Sequence, residues 1–494
     1  MQMFSGLLWK EERTGEEAER KNMFADFNLD VCISKINSLT RGYDLYEYYH
    51  MLPEKLETTE YRRMVTNDMQ DAGLRDSFSK YALAIEKAKK QEKNSSYSNH
   101  DAEKMKWHAD ALYLFSTAVE ELCQDLGRME NLSRALKELK EYLDGYLGTE
   151  EYREWKQAAK SIREKFEHSP VGFIVQKNKV VVDMEQDKEP FQERIMRAFR
   201  LEPKKEERRE EFRPLTVFEE RMSERLVHSL GLKKEMAFLL KIEMDETLVR
   251  LASEVQFYLG FFEFCKYMEE KGYSFSLPTD GRLKIEGGYD AAMAVQSDRP
   301  VIPNDFEIRD GERFFVITGA NGGGKTTFAR MIGQILYFSR MGLLVPCRMA
   351  VLPNFTDILT HFSDEESEKT GRGKLMEELC RLAPMMDDVQ ENTFVVLNEL
   401  FTTAATLDAG VMGKRVLAHF VKSRCYGIYV THIQSLAEES DGIVSMVAEL
   451  SDDHHTRSFK ISRKPASEGE YEDSLITKYH MTYTQMREVM GDGS

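Results

Sequence analysis

Apolar residues in the first 270 positions recur mostly at helical spacing. Phe115, Ala118, Val119, Leu122 and Leu126 fall at i, i+3, i+4, i+7 and i+11, one face of a helix. Leu132, Leu136, Leu139, Leu143 and Tyr146 alternate steps of four and three. That heptad-like seam suits a helix packed in a bundle or a short coiled-coil arm. The period changes after Gly148 and Ser169-Pro170. Phe173 and Val175 fall in a short apolar run, 176–179 reads as a turn, and Val180, Val181 and Val182 follow. This predicts a small β-hairpin set among helices. Helical spacing resumes over 217–271, and 274–298 is short, glycine-containing and strand-like. Beyond Pro303, three apolar runs with turn residues at their ends (313–317, 393–397 and 426–430) predict the buried parallel strands of an α/β domain.

A chain of 494 residues with 41% hydrophobic positions builds several cores, two to four domains by its length. No apolar run approaches the roughly 18 residues that cross a membrane. The first residues lack a basic stretch before an apolar core, so 1–25 reads as an extended arm and not as a secretory leader. Six cysteines without a C-x-x-C pair argue against a disulfide framework or a zinc ribbon and for reduced thiols in the cytoplasm. The net charge of −17 opposes indiscriminate nucleic-acid binding. Residues 151–215 differ, with 16 Lys and Arg against 14 Asp and Glu, which leaves the rest of the chain at −19. Within them Lys204, Lys205, Arg208 and Arg209 are interleaved with glutamates, as on a solvated helix face.

The most informative segment is Gly319-Ala320-Asn321-Gly322-Gly323-Gly324-Lys325-Thr326, followed by Thr327. It is G-x-x-x-x-G-K-[ST] placed after an apolar strand and at the opening of a helix, the context a phosphate loop requires. Glycines let backbone N–H groups point inward around an anion. The helix beginning at Lys325 adds its positive end. Lys325 is positioned to reach β- and γ-phosphates, and the Thr326 hydroxyl to ligate Mg²⁺. The expected cofactors are ATP and Mg²⁺.

Some 75 residues on, four apolar residues end in Asn398-Glu399, the form of a Walker B strand. Glu399 stands where a carboxylate takes the proton of an attacking water. Asn398 occupies the position usually held by the aspartate of the Mg²⁺ shell; it keeps an acceptor oxygen and loses the charge, so slow hydrolysis is expected. The run at 426–430 ends in Thr431-His432, and a histidine after that strand is where ABC-type ATPases place a γ-phosphate sensor.

These residues resemble the MutS mismatch-repair ATPase family. Its T-G-x-N-x-G-G-K-[ST] loop, helix and G-x-x-V-P-A are similar to the segment through Asn321 and Gly342-Leu343-Leu344-Val345-Pro346-Cys347. Asp357-Ile358-Leu359-Thr360 resembles D-I-[FL]-[TS]-R, and Thr370-Gly371-Arg372-Gly373-Lys374 with Glu377-Glu378 resembles S-G-R-S-T-F-x-x-E. Thr406 and Asp408 follow Asn398-Glu399 as in the family's D-E-x-x-x-G-T-S-T-x-D-G, and Thr431-His432 matches its T-H. Tyr471, Leu475, Ile476, Tyr479, Tyr483 and Met486 resemble its closing helical segment. The likeness is specific over 300–494 and architectural upstream. Departures are Asn398, Phe401-Thr402-Thr403 in place of a G-R-G-like stretch, Gly373 and Lys374 for serine and threonine, and Val301-Ile302 for an aromatic–aliphatic pair against adenine. Gly260-Phe261-Phe262-Glu263 imitates the mismatch-reading F-x-E, but its apolar helical surroundings mark it as core.

The expected fold is a C-terminal α/β ABC-type P-loop ATPase domain preceded by a mostly α-helical core and lever with a small β-containing clamp-like insert. The expected boundaries are an arm at 1–25, helical core and lever at 26–150, insert at 151–215, helical return at 216–280, ATPase at 281–450 and a helical dimerisation segment at 451–494. The family's mismatch-reading and connector domains, and a C-terminal nuclease domain, are expected to be missing. The resemblance implies a homodimer with composite sites. Nucleotide would sit on Gly319–Thr327 and Ile302, with Thr370, Gly371 and Arg372 closing in trans. Thr326, Asn398 and Glu399 would form the Mg²⁺ shell, and Glu399 and His432 would be catalytic. Nucleotide state would drive clamp-like DNA binding, without mismatch reading and with no membrane involved. The alternative is a nucleotide-gated scaffold with weak or no hydrolysis and no DNA binding. A transporter ATPase or SMC-type protein fits worse, since no L-S-G-G-Q is present and no coil separates the phosphate loop from Glu399.

Overall fold

A computed structural model describes residues 4–9, 21–40, 42–98, 100–168, 172–176, 179–183, 227–228, 230–363, 373–450 and 457–466. The N-terminal helices are α1 (Lys21–Asp26), α2 (Leu29–Leu39), α3 (Tyr46–His50), α4 (Leu56–Asp68), α5 (Ala72–Tyr97), α6 (Asp101–Arg128), α7 (Arg134–Leu147) and α8 (Glu150–His168). Strands β1 (Gly172–Gln176) and β2 (Lys179–Asp183) follow, then α9 (Lys233–Leu239) and α10 (Glu246–Glu270). Next come β3 (Thr279–Asp280), β4 (Lys284–Gly288), α11 (Ala291–Gln296), β5 (Asn304–Glu307), β6 (Phe314–Thr318) and α12 (Lys325–Arg340). The described chain closes with β7 (Met349–Leu352), β8 (Asp357–Phe362), α13 (Lys374–Asp388), β9 (Thr393–Asn398), α14 (Thr406–Lys422), β10 (Tyr426–Val430), β11 (Ile443–Leu450) and β12 (Arg457–Arg463).

The chain divides into two compact units, Met1–Glu11 with Asp68–Gln256 and Glu12–Asn67 with Phe257–Ser494. In the first, α5 packs along α6, and α7, α8 and α9 pack on α6 in turn. The stripe from Phe115 to Leu126 is buried, as are Leu136, Leu139 and Leu143 of the seam, so that seam is bundle core. Asp71 caps α5 by accepting the Leu74 N–H at 2.8 Å. The hairpin pairs Gly172 with Asp183 and Gln176 with Lys179, antiparallel as two short apolar runs flanking a turn predict.

Two buried polar groups tie the first unit together. Residues 4–9 are packed in, with Leu7 and Leu8 fully buried. The Glu254 side chain is 1% exposed and accepts the Leu7 N–H at 2.6 Å, while Arg250 lies 3.2 Å from it and donates to the Ser5 carbonyl at 2.6 Å. Burial pushes the Glu254 carboxyl upward; the Leu7 and Leu8 N–H groups and Arg250 pull against that. Only glycine fits at position 6, with φ of +142° and a notional Cβ 2.5 Å from both carboxylate oxygens. His108 is likewise buried, its Nδ1 2.7 Å from Glu92 and its Nε2 2.9 Å from the Leu239 carbonyl.

The second unit is built on a six-stranded sheet of order β12-β11-β6-β10-β9-β8. All neighbours are parallel except β12, which runs antiparallel to β11. The central strands are buried on both faces, which is why they read as continuous apolar runs. A smaller sheet, β3-β7-β4-β5, stands beside the segment leading into β6. Residues 12–67 belong to this unit. Phe27 packs against Gly333 of α12, Arg330 donates to the Asp26 carbonyl at 3.0 Å, and Tyr337 donates to the Tyr49 carbonyl at 2.6 Å. Phe261 is fully buried, in keeping with its reading as core.

Two expectations change. The strand-like stretch 274–298 contains a helix, α11, because Asp290 caps it by accepting the Met293 N–H at 3.0 Å and three of its alanines are buried. The segment expected to be helical from 451 contains strand β12, whose partner is β11. Residues 467–494, Thr370, Gly371, Arg372 and the cationic run at 204–209 lie outside the described residues.

Candidate functional site

Parallel packing brings three strand ends together at the carboxyl edge of the large sheet, where open α/β sheets hold ligands. Strand β6 ends in the glycine loop, β9 in Asn398-Glu399, and β10, lying between them, in Thr431-His432. The edge is stitched by backbone bonds. Glu399 N–H donates to the Val430 carbonyl at 2.8 Å and Thr431 N–H to the Ile317 carbonyl at 3.0 Å.

The loop has the conformation its glycines permit. Gly319, Gly322 and Gly324 have φ of +114°, +68° and +93°, and α12 starts at Lys325. The Lys325 ammonium turns back onto its own loop, 2.7 Å from the Gly319 carbonyl, 3.1 Å from that of Ala320 and 3.3 Å from the Asn321 side-chain oxygen. Burial, together with the nearby charge of Arg457, holds its pKa below the usual lysine value, while Glu399 opposes them. The Thr326 hydroxyl donates to the Asn398 Oδ1 at 3.1 Å.

Glu399 is half-buried and sits at φ of +53°; Phe401, two residues on, is at +62°. Left-handed backbone at non-glycine residues costs about 1 kcal/mol or more each and persists where surroundings impose it. Here the buried Glu378 carboxylate of α13 accepts the Phe401 N–H at 3.1 Å. The turn that aims Glu399 is thus held from the helix directly following the Gly373 region.

A cavity of about 840 Å³ joins these groups. It is lined by Asn321, Gly322, Gly324, Lys325, Thr326, Thr327 and Glu399, and also by Met293, Val301, Ile302 and Phe459. Of the expected residues, Gly319, Ala320 and Gly323 form the loop without lining the cavity, Asn398 is reached through Thr326, and His432 is exposed outside the lining.

Sequence reasoning missed three residues. Asn304 is buried, donates to the Phe459 carbonyl at 3.0 Å and accepts the Ile461 N–H at 2.9 Å, joining two walls of the cavity. Its signal was available: it shares the inward register of Phe306 on β5. Phe459 is 44% exposed, carries φ of +56°, and its ring would be 3.6 Å from a Cβ at Gly324. The pairing of β11 with β12 shifts register between Ala448 and Leu450, the kind of bulge that re-aims a side chain. Arg457 reaches Gly322 from the same strand. No spacing in the chain signals these two, since only strand pairing brings them to the loop.

The cavity lies within the size range of small-ligand sites, and the loop's glycines and lysine suit a phosphate chain. The lysine's present contacts are carbonyl and amide oxygens, which phosphate oxygens would replace. Among the described residues no cluster of three His, Cys, Asp or Glu could hold a metal alone. Thr326 and Asn398 offer two neutral oxygens, which fits Mg²⁺ only if phosphates complete its charge.

Residues 315–474 match the family described as MutS domain V. This part of the chain is similar to the MutS family. Three relatives are similar to about a third of the chain. DNA mismatch repair protein msh-2 of Neurospora crassa is 30% identical over 163 residues, 33% of this chain and 17% of the relative. DNA mismatch repair protein MutS of Thermotoga petrophila is 30% identical over 168 residues, 34% and 21%. DNA mismatch repair protein MSH2 of Saccharomyces cerevisiae is 28% identical over 167 residues, 33% and 17%. The chain thus spans about a fifth or less of the length of these relatives.

Proposed function

We propose that this protein is a MutS-like ATPase. The observation that carries the reading is the convergence of Lys325, Thr326 and Glu399 on one cavity at the strand ends, with Asn398 bonded to Thr326. Gly319 to Thr327 would hold the phosphates, with Ile302 and Phe459 against the base. Thr326 and Asn398 would hold Mg²⁺, with Glu399 in its shell; the ion, when bound, supplies positive charge to the phosphates. Glu399 would orient a water and receive its proton at the carboxylate. The missing charge at Asn398 makes slow turnover the expectation.

The reading includes a homodimer in which Thr370, Gly371 and Arg372 of a second copy complete the site and His432 senses the γ-phosphate. Four apolar residues on the helices before and after β9 support a partner there: Met376, Leu379, Leu407 and Val411 are 54%, 38%, 86% and 55% exposed. It also includes clamp-like DNA binding by the helical unit and insert without mismatch reading, and a cytoplasmic location. Among the described residues no helix is long and apolar enough to cross a membrane.

The test is Mg-dependent phosphate release by the purified full chain. Lys325→Ala should lose nucleotide binding by about tenfold or more, the scale of one charge-assisted hydrogen bond. Glu399→Gln should keep binding and lose turnover. Wild-type rates no higher than those of both variants would sink the enzyme reading. A nucleotide-gated scaffold without DNA binding is then the second reading, favoured by the neutral Asn398 and the charge of −17. A gel-shift series against salt separates the two, because phosphate contacts must weaken as salt rises.

A further inference from the structure

The glycine loop has a second cation beside it. The Arg457 guanidinium enters from the start of β12 and approaches Gly322 so closely that a Cβ there would lie 2.6 Å from Nη1. It lines the same cavity as Lys325, Thr326 and Glu399. We propose that Arg457 is a phosphate-binding residue supplied in cis, clamping the polyphosphate chain of the nucleotide against the loop from the face opposite Lys325.

Three observations carry this. Arginine presents a rigid fork of donors matched to phosphate oxygens, and a glycine at 322 is what lets that fork meet the loop backbone. Lys325 and Arg457 converge on one cavity whose lining also holds Arg299, Asp290 and Glu399, and the repulsion between the two loop-side cations is relieved when an anion enters between them. Consistent with that, Arg457 depresses the Lys325 pKa, after burial. Third, β12 is fastened where it must be. Asn304 bonds to both Phe459 and Ile461, Lys460 donates to the Pro303 carbonyl, and Arg463 pairs with Glu312. The strand that delivers Arg457 is therefore tied to the wall holding Val301 and Ile302.

The chemistry also explains how the site tolerates Asn398. A neutral residue there weakens the hold on the metal, and the metal is what ordinarily neutralises the phosphates. A fixed guanidinium supplies part of that charge from the protein, so polyphosphate binding should depend less on Mg²⁺ than on Arg457.

The inference rests on the nucleotide reading of this cavity, and the experiment keeps the two apart. Binding of ATP, ADP and AMP to the full chain is measured by calorimetry, with Mg²⁺ and with EDTA, for wild type, Arg457→Ala, Arg457→Lys and Lys325→Ala. Thermal melts confirm folding. Arg457→Ala should weaken ATP and ADP by about tenfold or more in EDTA, leave AMP within about twofold, and make ATP binding newly dependent on Mg²⁺. Arg457→Lys should fall between. Equal ATP affinity in wild type and Arg457→Ala, or an equal loss for AMP, overturns the clamp and leaves Arg457 a packing residue. No nucleotide binding by wild type would instead remove the site reading, and the clamp with it.

Discussion

The helical unit and the strand-end site of the second unit hold polar groups for opposite purposes. In the helical unit, Glu254 and His108 end on backbone groups of distant segments, the Leu7 N–H and the Leu239 carbonyl. Those partners are part of the fold and have no substitute. At the strand-end site of the second unit, Lys325 bonds to its own loop, Thr326 to Asn398, and Glu399 stands in left-handed backbone. These contacts resemble the ones a phosphate, a metal or a water would make. A buried polar group satisfied by distant backbone is a fastener; one satisfied by its own loop is available for exchange with a ligand.

Breaking the comparison at its strongest point means removing a fastener. Glu254→Ala leaves the Leu7 N–H without its acceptor and opens space beneath residues 4–9. We expect about 3 kcal/mol of destabilisation in denaturant melts, with nucleotide affinity unchanged. A variant as stable as wild type, or one that loses nucleotide in proportion, would erase the distinction between the units.

A smaller effect probes the exchangeable side. Asn398→Asp restores a charge beside Thr326 and should lower the Mg²⁺ midpoint for turnover by about tenfold. An unmoved midpoint in a Mg²⁺ titration would place Asn398 outside the metal shell.

The smallest effect lies in the helical unit and depends on pH. Burial lowers the His108 pKa, but its bonds to Glu92 and to backbone carbonyls outweigh burial and raise it. A raised folded pKa contributes stability that is full below the unfolded value of about 6.5 and is lost as pH rises through the folded value. The advantage of wild type over His108→Gln should therefore shrink between pH 6 and pH 9. It should amount to less than about 1 kcal/mol, because Glu92 is 42% exposed and water screens the pair. A constant difference across that range, measured by urea midpoints, would show that the histidine is held neutral.

Legibility followed the same division. The glycine loop was readable because left-handed backbone and close approach demand glycine, and because Lys325 and Thr326 must follow it at the head of a helix. Asn398-Glu399 was readable because a strand buried on both faces ends in polar residues only at its edge. The α6 stripe was readable from period alone. What function the helices serve was not, since period specifies a buried face and nothing about the surface opposite.

The chain by itself thus determined the phosphate loop, the acidic strand end, the MutS likeness and the helical character of what precedes them, because each is written in neighbouring residues. Tertiary structure alone decided that Asp26, Phe27 and Tyr49 pack on α12 of the second unit, that Glu378 holds the turn carrying Glu399, and that Asn304, Arg457 and Phe459 wall the cavity. Those are contacts between strands and helices far apart in sequence. Their partners are chosen by sheet order and register, which no local spacing encodes.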